Sequence, residues 1–233
     1  MIQQDRLHLL DSIRGFCVIL MVAYHLGFNL VFYLDFPRHW LYNPVLDTLQ
    51  PFFAGVFIFI SGIASRYSRS NLIRGLKLFP IALAVTLVTW FAGNPIFFGI
   101  LHFLSIAMIF YDLTRRLWDK IPPLMAIPLY VAALFISQMF TGPGNWPVAW
   151  LFPFGFFRPG FSSADYFPLL PWIFVFLAGT SAGGLLREGK APRLFYGGRP
   201  SPLSWIGRRA LIIYILHQPI LVGLVLLIRH VIR

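Results

Sequence analysis

The sequence is poor in cysteine and in charged residues. It has one cysteine, Cys17, and only 12% charged residues, with 8 Asp and Glu against 19 Lys and Arg. A single cysteine excludes an intramolecular disulfide and any zinc site built from several thiolates. With 58% hydrophobic residues and a mean hydropathy of +0.74, the composition is instead typical of a membrane protein.

The net charge of +11 does not indicate nucleic-acid binding. The basic residues stand in short clusters between long apolar runs, and no soluble basic region holds them. The first apolar run lacks a small-residue cleavage pattern, which predicts a retained helix rather than a removed signal peptide. The expected partner of most of the surface is therefore the lipid bilayer, with no nucleic acid.

Long apolar runs without strict alternation predict transmembrane helices, since about 20 apolar residues cross the hydrocarbon core. We expect an all-α, polytopic transmembrane helix bundle of about seven spans that forms a single domain over residues 1–233. The short segment 92–95, Ala-Gly-Asn-Pro, predicts a tight hairpin between the third and fourth spans. The predicted spans are 9–34, 45–66, 78–91, 95–113, 121–140, 167–186 and 206–228.

The distribution of Lys and Arg predicts the orientation of the bundle. With the N-terminus in the cytoplasm, 15 of the 19 basic residues fall on the cytoplasmic side. The other four are Arg38, Arg158, Arg229 and Arg233. This split fits seven spans with the C-terminus outside, in a multi-pass protein of the plasma or inner membrane.

The first predicted span carries a polar stripe. Arg14 and His25 are 11 residues apart, which places them on one helix face about 16 Å apart along the axis. Asp11 lies one turn before Arg14, and Asn29 one turn after His25. In a structural interpretation, Asp11 and Arg14 form an interfacial ion pair and His25 hydrogen-bonds a neighbouring helix. Because ionisable residues within a span are costly, we favour a functional groove.

Two other predicted spans also contain a histidine, His102 in the fourth and His217, followed by Gln218, in the last. These imidazoles could form a cluster with His25. No two histidines have metal-ligand spacing on one helix, so the pattern favours proton handling, and no metal is expected.

Small residues in the second and sixth spans indicate close helix packing. They are Gly55, Ser61 and Gly62 in the second span and the segment 179–184 in the sixth. The strip in the sixth span could also admit the narrow chain of a ligand.

Five features together resemble the heparan-α-glucosaminide N-acetyltransferase catalytic-domain family in its short bacterial form. They are the segment 6–15, the ten residues between Arg14 and His25, and the segments 47–62, 98–102 and 214–219. The Arg-to-His spacing also resembles the wider membrane acyltransferases. The resemblance implies transfer of an acetyl group from cytosolic acetyl-CoA to a hydroxyl or amine of a sugar-like acceptor at the far face.

The resemblance also implies roles for individual residues. His25 matches the catalytic His of the wider acyltransferases, whereas His39 and Asp47 match a catalytic His and an Asp of the lysosomal members. Either His25 or His39, oriented by Asp47, would deprotonate the acceptor. Taken alone, Asp47 is equally well interpreted as a helix cap. The predicted donor-binding residues are Asp11, Arg14, Asn29, Arg69, Arg74, Lys77, His102, His217 and Gln218.

Two other classes of protein stay open. A proton-coupled solute transporter would use the same polar stripe, although neither an inverted repeat nor a pair of broken helices is evident. A structural membrane subunit would leave the intramembrane His and Arg residues unexplained. For the enzyme, direct transfer and an acyl-histidine intermediate both fit. A chain of 233 residues is small for a bundle that holds both a CoA tunnel and an acceptor cleft, which also suggests a homodimer.

Overall fold

The computed structural model describes residues 7–146 and 148–232, which are mostly helical with little sheet. Two short strands, β1 and β2, pair in parallel through residues 142–143 and 156–157. The eight α-helices of the described residues are α1 His8–Tyr33, α2 Pro44–Ser65, α3 Asn71–Phe91, α4 Ile100–Trp118, α5 Pro123–Gln138, α6 Leu169–Arg187, α7 Pro202–Arg208 and α8 Ala210–Ile232.

Five of these helices are long and apolar enough to cross a membrane, counted over the described residues alone. They are α1, α2, α3, α6 and α8. The α5 helix is apolar but has only 16 residues, and it covers 123–138 rather than the predicted 121–140. The total of seven spans and the direction of the termini stay predictions.

The predicted start of the third span was wrong by seven residues. The α3 helix begins at Asn71, not at residue 78, because Ser70 caps it. The Ser70 hydroxyl oxygen accepts a hydrogen bond from the backbone N–H of Ile73 at 3.1 Å. A polar first turn, which hydropathy alone assigns to the loop, is therefore part of the helix.

The predicted fourth span, 95–113, was also misplaced. The α4 helix runs from Ile100 to Trp118 and so includes Asp112, Arg115 and Arg116. Its start is set by Asp165, whose carboxylate accepts a hydrogen bond from the N–H of Ile100 at 3.0 Å. The predicted hairpin is confirmed, because α3 packs against α4, but residues 92–99 form its connection.

The last predicted helix, 206–228, consists of two helices. The α7 helix ends at Arg208 and α8 begins at Ala210, with Arg209 between them at φ −104° and ψ 12°. Ser201 caps α7 by accepting a hydrogen bond from the N–H of Ser204 at 3.1 Å. The predicted span 206–228 is thus continuous in sequence, although the helix is interrupted at Arg209.

The predicted loop 141–166 contains both strands and a 3-10 turn, Ala149–Phe154. Aromatic rings pack within it, including Phe152 and Phe161 with centroids 5.4 Å apart. The Tyr166 hydroxyl donates to the carbonyl of Phe152 at 2.5 Å, and burial raises the pKa of Tyr166. This connection is therefore ordered by its own contacts.

The chain forms two compact units. The first comprises Met1–Phe57 with Pro192–Arg233, and the second comprises Ile58–Ala191, so that α2 contributes to both. In the first unit α1 packs against α7 and α8, and Cys17 is buried in α1. In the second unit α3 packs on α4 and α5 on α6, around a buried core that includes Phe103 and Phe176.

Two glycines bring α1 and α7 of the first unit into backbone contact. A Cβ atom added to Gly15 would lie 2.0 Å from the Leu203 carbonyl oxygen, and one added to Gly207 would lie 1.8 Å from that of Asp11. Neither distance is compatible with a side chain, so the two helices cross as closely as their backbones allow.

The small residues of α2 and α6 also pack closely, as predicted. In the second unit, a Cβ on Gly62 would lie 2.2 Å from the Phe176 carbonyl oxygen, and one on Gly179 would lie 2.1 Å from that of Phe59. The backbone of α2 therefore fills the strip at Gly179, which leaves no space there for a ligand chain.

Gly15→Ala should destabilise the protein by about 1–3 kcal/mol, because the added methyl group has to separate α1 from α7. Gly27→Ala is the matched control in the same helix, since nothing lies within 4 Å of its Cβ position. The control should be neutral or stabilising, because alanine favours a helix over glycine. Thermal unfolding in detergent measures both, and equal unfolding temperatures would contradict the close crossing.

Candidate active site

The N-terminal end of the polar stripe is an ion pair, as the structural interpretation of Asp11 and Arg14 predicted. The Arg14 guanidinium donates to the Asp11 carboxylate at 3.1 Å, and the two side chains are 19% and 13% exposed. The pair lies beside the glycine crossing of α1 and α7. Both charges are thus held in place by packing while part of the guanidinium stays accessible.

Two imidazoles meet where α1 packs against α8. The Nδ1 atom of His25 lies 3.0 Å from the Nε2 atom of His217, and the ring centroids are 4.9 Å apart. The other nitrogen of His217, Nδ1, lies 2.7 Å from the backbone carbonyl oxygen of Tyr214. His217 is only 8% exposed. A continuous chain of hydrogen bonds therefore runs from the α8 backbone to His25.

A second polar pair lies one helical turn further along α1. The Asn29 amide donates to the side-chain oxygen of Gln218 at 3.0 Å, and Asn29 is 1% exposed. Asn29 follows His25 by one turn, and Gln218 follows His217 by one residue. Both pairs therefore hold α1 against α8. Such contacts are expected where the hydrocarbon offers no alternative partner.

The structure does not bring His39 and Asp47 together. His39 lies in an exposed 3-10 turn, Arg38–Trp40, and Asp47 is exposed in the first turn of α2. Neither hydrogen bonds nor ion pairs join the two side chains in the part of the chain that the structure describes. Asp47 does lie close enough to the Tyr24 phenol, next to His25, to act on it electrostatically.

His102 belongs to the second unit and has different partners. Its Nε2 atom lies 3.1 Å from the Thr86 hydroxyl, which itself donates to the carbonyl of Ile96 at 2.5 Å. Its ring stacks on Phe98, and the residue is 4% exposed. Among the described residues, its Nδ1 atom has no hydrogen-bond partner.

Arg69 lies two residues before α3, Arg74 is in the first turn of α3 and Lys77 is in the next turn, and all three are exposed. The Arg74 guanidinium is 3.4 Å from the side-chain oxygen of Asn71, a long contact that leaves most of its donors available. Because the helix N-terminus is itself partly positive, these three cations form a surface suited to phosphate groups.

The sequence analysis missed an ionic cluster in the second unit. The Arg66 guanidinium lies 2.6 Å from the Asp119 carboxylate and donates to the carbonyl of Thr180 at 3.0 Å. It also lies over the Tyr111 ring, 5.9 Å from the centroid. The only signal for this cluster in the sequence is the positive charge of Arg66, which is one of the 15 basic residues on the predicted cytoplasmic side.

Outside the predicted spans, an ion pair at the end of α6 changes the pKa of one carboxyl group. A hydrogen bond from Lys190, at 2.8 Å, lowers the pKa of the exposed Glu188 at the end of α6. Metal-ligating side chains do not converge in threes anywhere in residues 7–146 and 148–232.

Gln218→Leu should destabilise the protein by about 1–3 kcal/mol, because it leaves the buried Asn29 amide without its acceptor. Replacing both residues with leucine should recover much of the loss, since no unsatisfied donor then remains. The exposed Gln138 offers the matched control, Gln138→Leu. Thermal unfolding in detergent measures all four proteins, and a Gln218→Leu variant as stable as the wild type would rule out the pair.

Comparison with known proteins identifies a family for the chain. The family model described as "Heparan-alpha-glucosaminide N-acetyltransferase, catalytic" matches residues 6–219 of the 233 in the chain. Neither a curated protein nor a solved structure shows significant similarity to this chain. The match includes both imidazoles and the Arg14 ion pair, and the apolar helices agree with an integral membrane protein. The chain therefore belongs to the heparan-α-glucosaminide N-acetyltransferase catalytic family, with a membrane acetyltransferase type of function.

Proposed function

We propose that this protein transfers an acetyl group from acetyl-CoA to a hydroxyl or amine of a sugar-like acceptor. The observation that carries the proposal is the imidazole pair of His25 in α1 and His217 in α8, with Arg14 two turns inside the start of α1. A half-buried imidazole that is hydrogen-bonded on one nitrogen is suited to take a proton on the other. The family match supplies the class of reaction.

In the proposed mechanism, the phosphates of the donor bind the cationic end of α1. Arg14 offers a planar guanidinium that its contact with Asp11 holds in place and that stays 19% exposed. The exposed surface of Arg69, Arg74 and Lys77 is a second group of cations of the same kind. We place both on the cytoplasmic side, because the distribution of Lys and Arg predicts it.

The acyl group would then reach His25 along α1. Eleven residues separate Arg14 from His25, which corresponds to about 16 Å along a helix, a distance that the extended arm of CoA has to cross. Asn29, one turn beyond, is buried in its bond to Gln218 and would limit how far the thioester enters. His25 is our preferred base over His39, because His39 is exposed and has no contact with Asp47.

The acceptor would enter from the opposite side of the membrane. We place the acceptor at the C-terminal end of α1, because the phosphates of the donor are assigned to Arg14 near the start of that helix. This arrangement keeps the charged donor in the cytosol while the sugar stays outside. Donor and acceptor would meet at His25, within the bilayer.

Arg14→Ala should weaken acetyl-CoA binding about tenfold or more, because a charge-assisted contact to phosphate contributes roughly 1.5–3 kcal/mol. Isothermal titration calorimetry of the detergent-purified protein measures the affinity. Arg116→Ala, which removes an exposed cation at the end of α4, is the control for net charge and should bind as the wild type does. Absence of binding to a folded wild-type sample would favour the transport function instead.

His25→Ala should bind acetyl-CoA but lower acetyl transfer by about 10²–10⁴-fold, the usual contribution of a general base. The assay follows labelled acetyl from acetyl-CoA to glucosamine or glucose, which offer an amine and hydroxyls. His230→Ala, at an exposed position of α8, is the matched control. His39→Ala compares the two candidate bases directly, and wild-type rates in a folded His25→Ala variant would exclude His25.

A further inference from the structure

We propose that His217 is a positioning residue that holds His25 in one neutral tautomer, the form protonated on Nδ1 with the lone pair on Nε2. The inference rests on the proposed function, since it assigns the atom of His25 that takes the acceptor proton. It follows from three groups that hydrogen-bond one after another: the Tyr214 carbonyl oxygen, the His217 ring and the His25 ring.

The direction of the hydrogen bonds follows from the carbonyl group. A carbonyl oxygen only accepts, so the His217 Nδ1 atom, 2.7 Å from the Tyr214 oxygen, has to carry a hydrogen. In a neutral imidazole the other nitrogen, Nε2, is then an acceptor. The His25 Nδ1 atom, 3.0 Å away, is therefore the donor. His25 is left with its lone pair on Nε2.

The contact fixes the orientation of the His25 ring as well as its tautomer. His217 is buried, and its backbone belongs to the same helix as the carbonyl that it binds. The bond between Asn29 and Gln218, at 3.0 Å, holds α1 and α8 in register directly beside it. The contact with His217 and the backbone of Met21, one turn earlier in α1, therefore both orient the His25 ring, as a general base requires.

The chemical step uses both nitrogens of His25. The acceptor oxygen or nitrogen forms a bond to the thioester carbonyl carbon while its proton passes to His25 Nε2. The carbon–sulfur bond then breaks, and the same proton passes from Nε2 to the CoA sulfur, which leaves as the thiol. Throughout, the Nδ1 hydrogen stays on His25 and is accepted by His217, which stabilises the transient imidazolium.

The tautomer itself is measurable in the full-length protein. Histidine labelled with ¹³C and ¹⁵N distinguishes Nδ1–H from Nε2–H by ring chemical shifts, and the signal lost in His25→Ala assigns the residue. We expect His25 to be the Nδ1–H form in the wild type. A wild-type signal for the Nε2–H form, or for a charged imidazolium at neutral pH, would overturn the proposal.

Two substitutions at position 217 separate positioning from packing. In His217→Gln the side-chain oxygen lies near the place of Nε2 and still accepts from His25, whereas the shorter amide of His217→Asn reaches only the Tyr214 carbonyl. We expect His217→Asn to lose the Nδ1–H signal of His25 and to lower the transfer rate about 10–100-fold, the usual effect of losing such a supporting bond. His217→Gln should restore both towards wild type.

The outcomes distinguish this inference from the proposed function. If His25→Ala abolishes transfer while His217→Asn changes neither the signal nor the rate, His25 is the base but His217 does not position it. If the wild type transfers no acetyl group, the proposed function fails, and the NMR signals still test the tautomer. His230→Asn is the control for replacing a histidine in α8 and should change neither.

Discussion

The hydrocarbon core of a membrane offers no hydrogen-bond partner, and this constraint determines where polar side chains in this protein lie. Three pairs of polar side chains in the apolar helices of the first unit satisfy each other: Asp11 with Arg14, His25 with His217, and Asn29 with Gln218. An unpaired group would cost several kcal/mol. The same contacts that stabilise the packing of these helices therefore also assemble the groups of the proposed site.

Packing in this structure depends on how closely backbones approach, since apolar side chains gain little by leaving lipid for protein. Many large apolar side chains face outward, including Phe91, which is 81% exposed. Close contact is concentrated at glycines, such as Gly15 and Gly207 in the first unit and Gly62 and Gly179 in the second. In the first unit, the close crossing at Gly15 and Gly207 holds α1 against α7 beside Arg14.

The sequence predicted the helical fold and the polar face of α1 because both depend on local periodicity. Asp11 and Arg14 are one turn apart, as are His25 and Asn29, and these spacings are visible in any helix. A cluster of His25 with His102 and His217 was considered from the sequence, but the direct contact of His25 with His217 was not predictable, because the register between α1 and α8 depends on contacts between residues 192 positions apart. The start of α4 was mispredicted for the same reason. Asp165 caps α4 from a distant loop, and hydropathy averaged over neighbouring residues does not include that contact.

Cys17 is 5% exposed, and no other cysteine exists in the sequence. Because a buried thiol reacts slowly with labels, the native protein is already close to a cysteine-free background for chemical mapping. A cysteine introduced into the connection 92–99 or beside Ser70 would be the single reactive thiol, and a membrane-impermeant maleimide would label it from one side only. The position of one natural residue thus makes the sidedness of each loop accessible in intact cells, without first altering the fold.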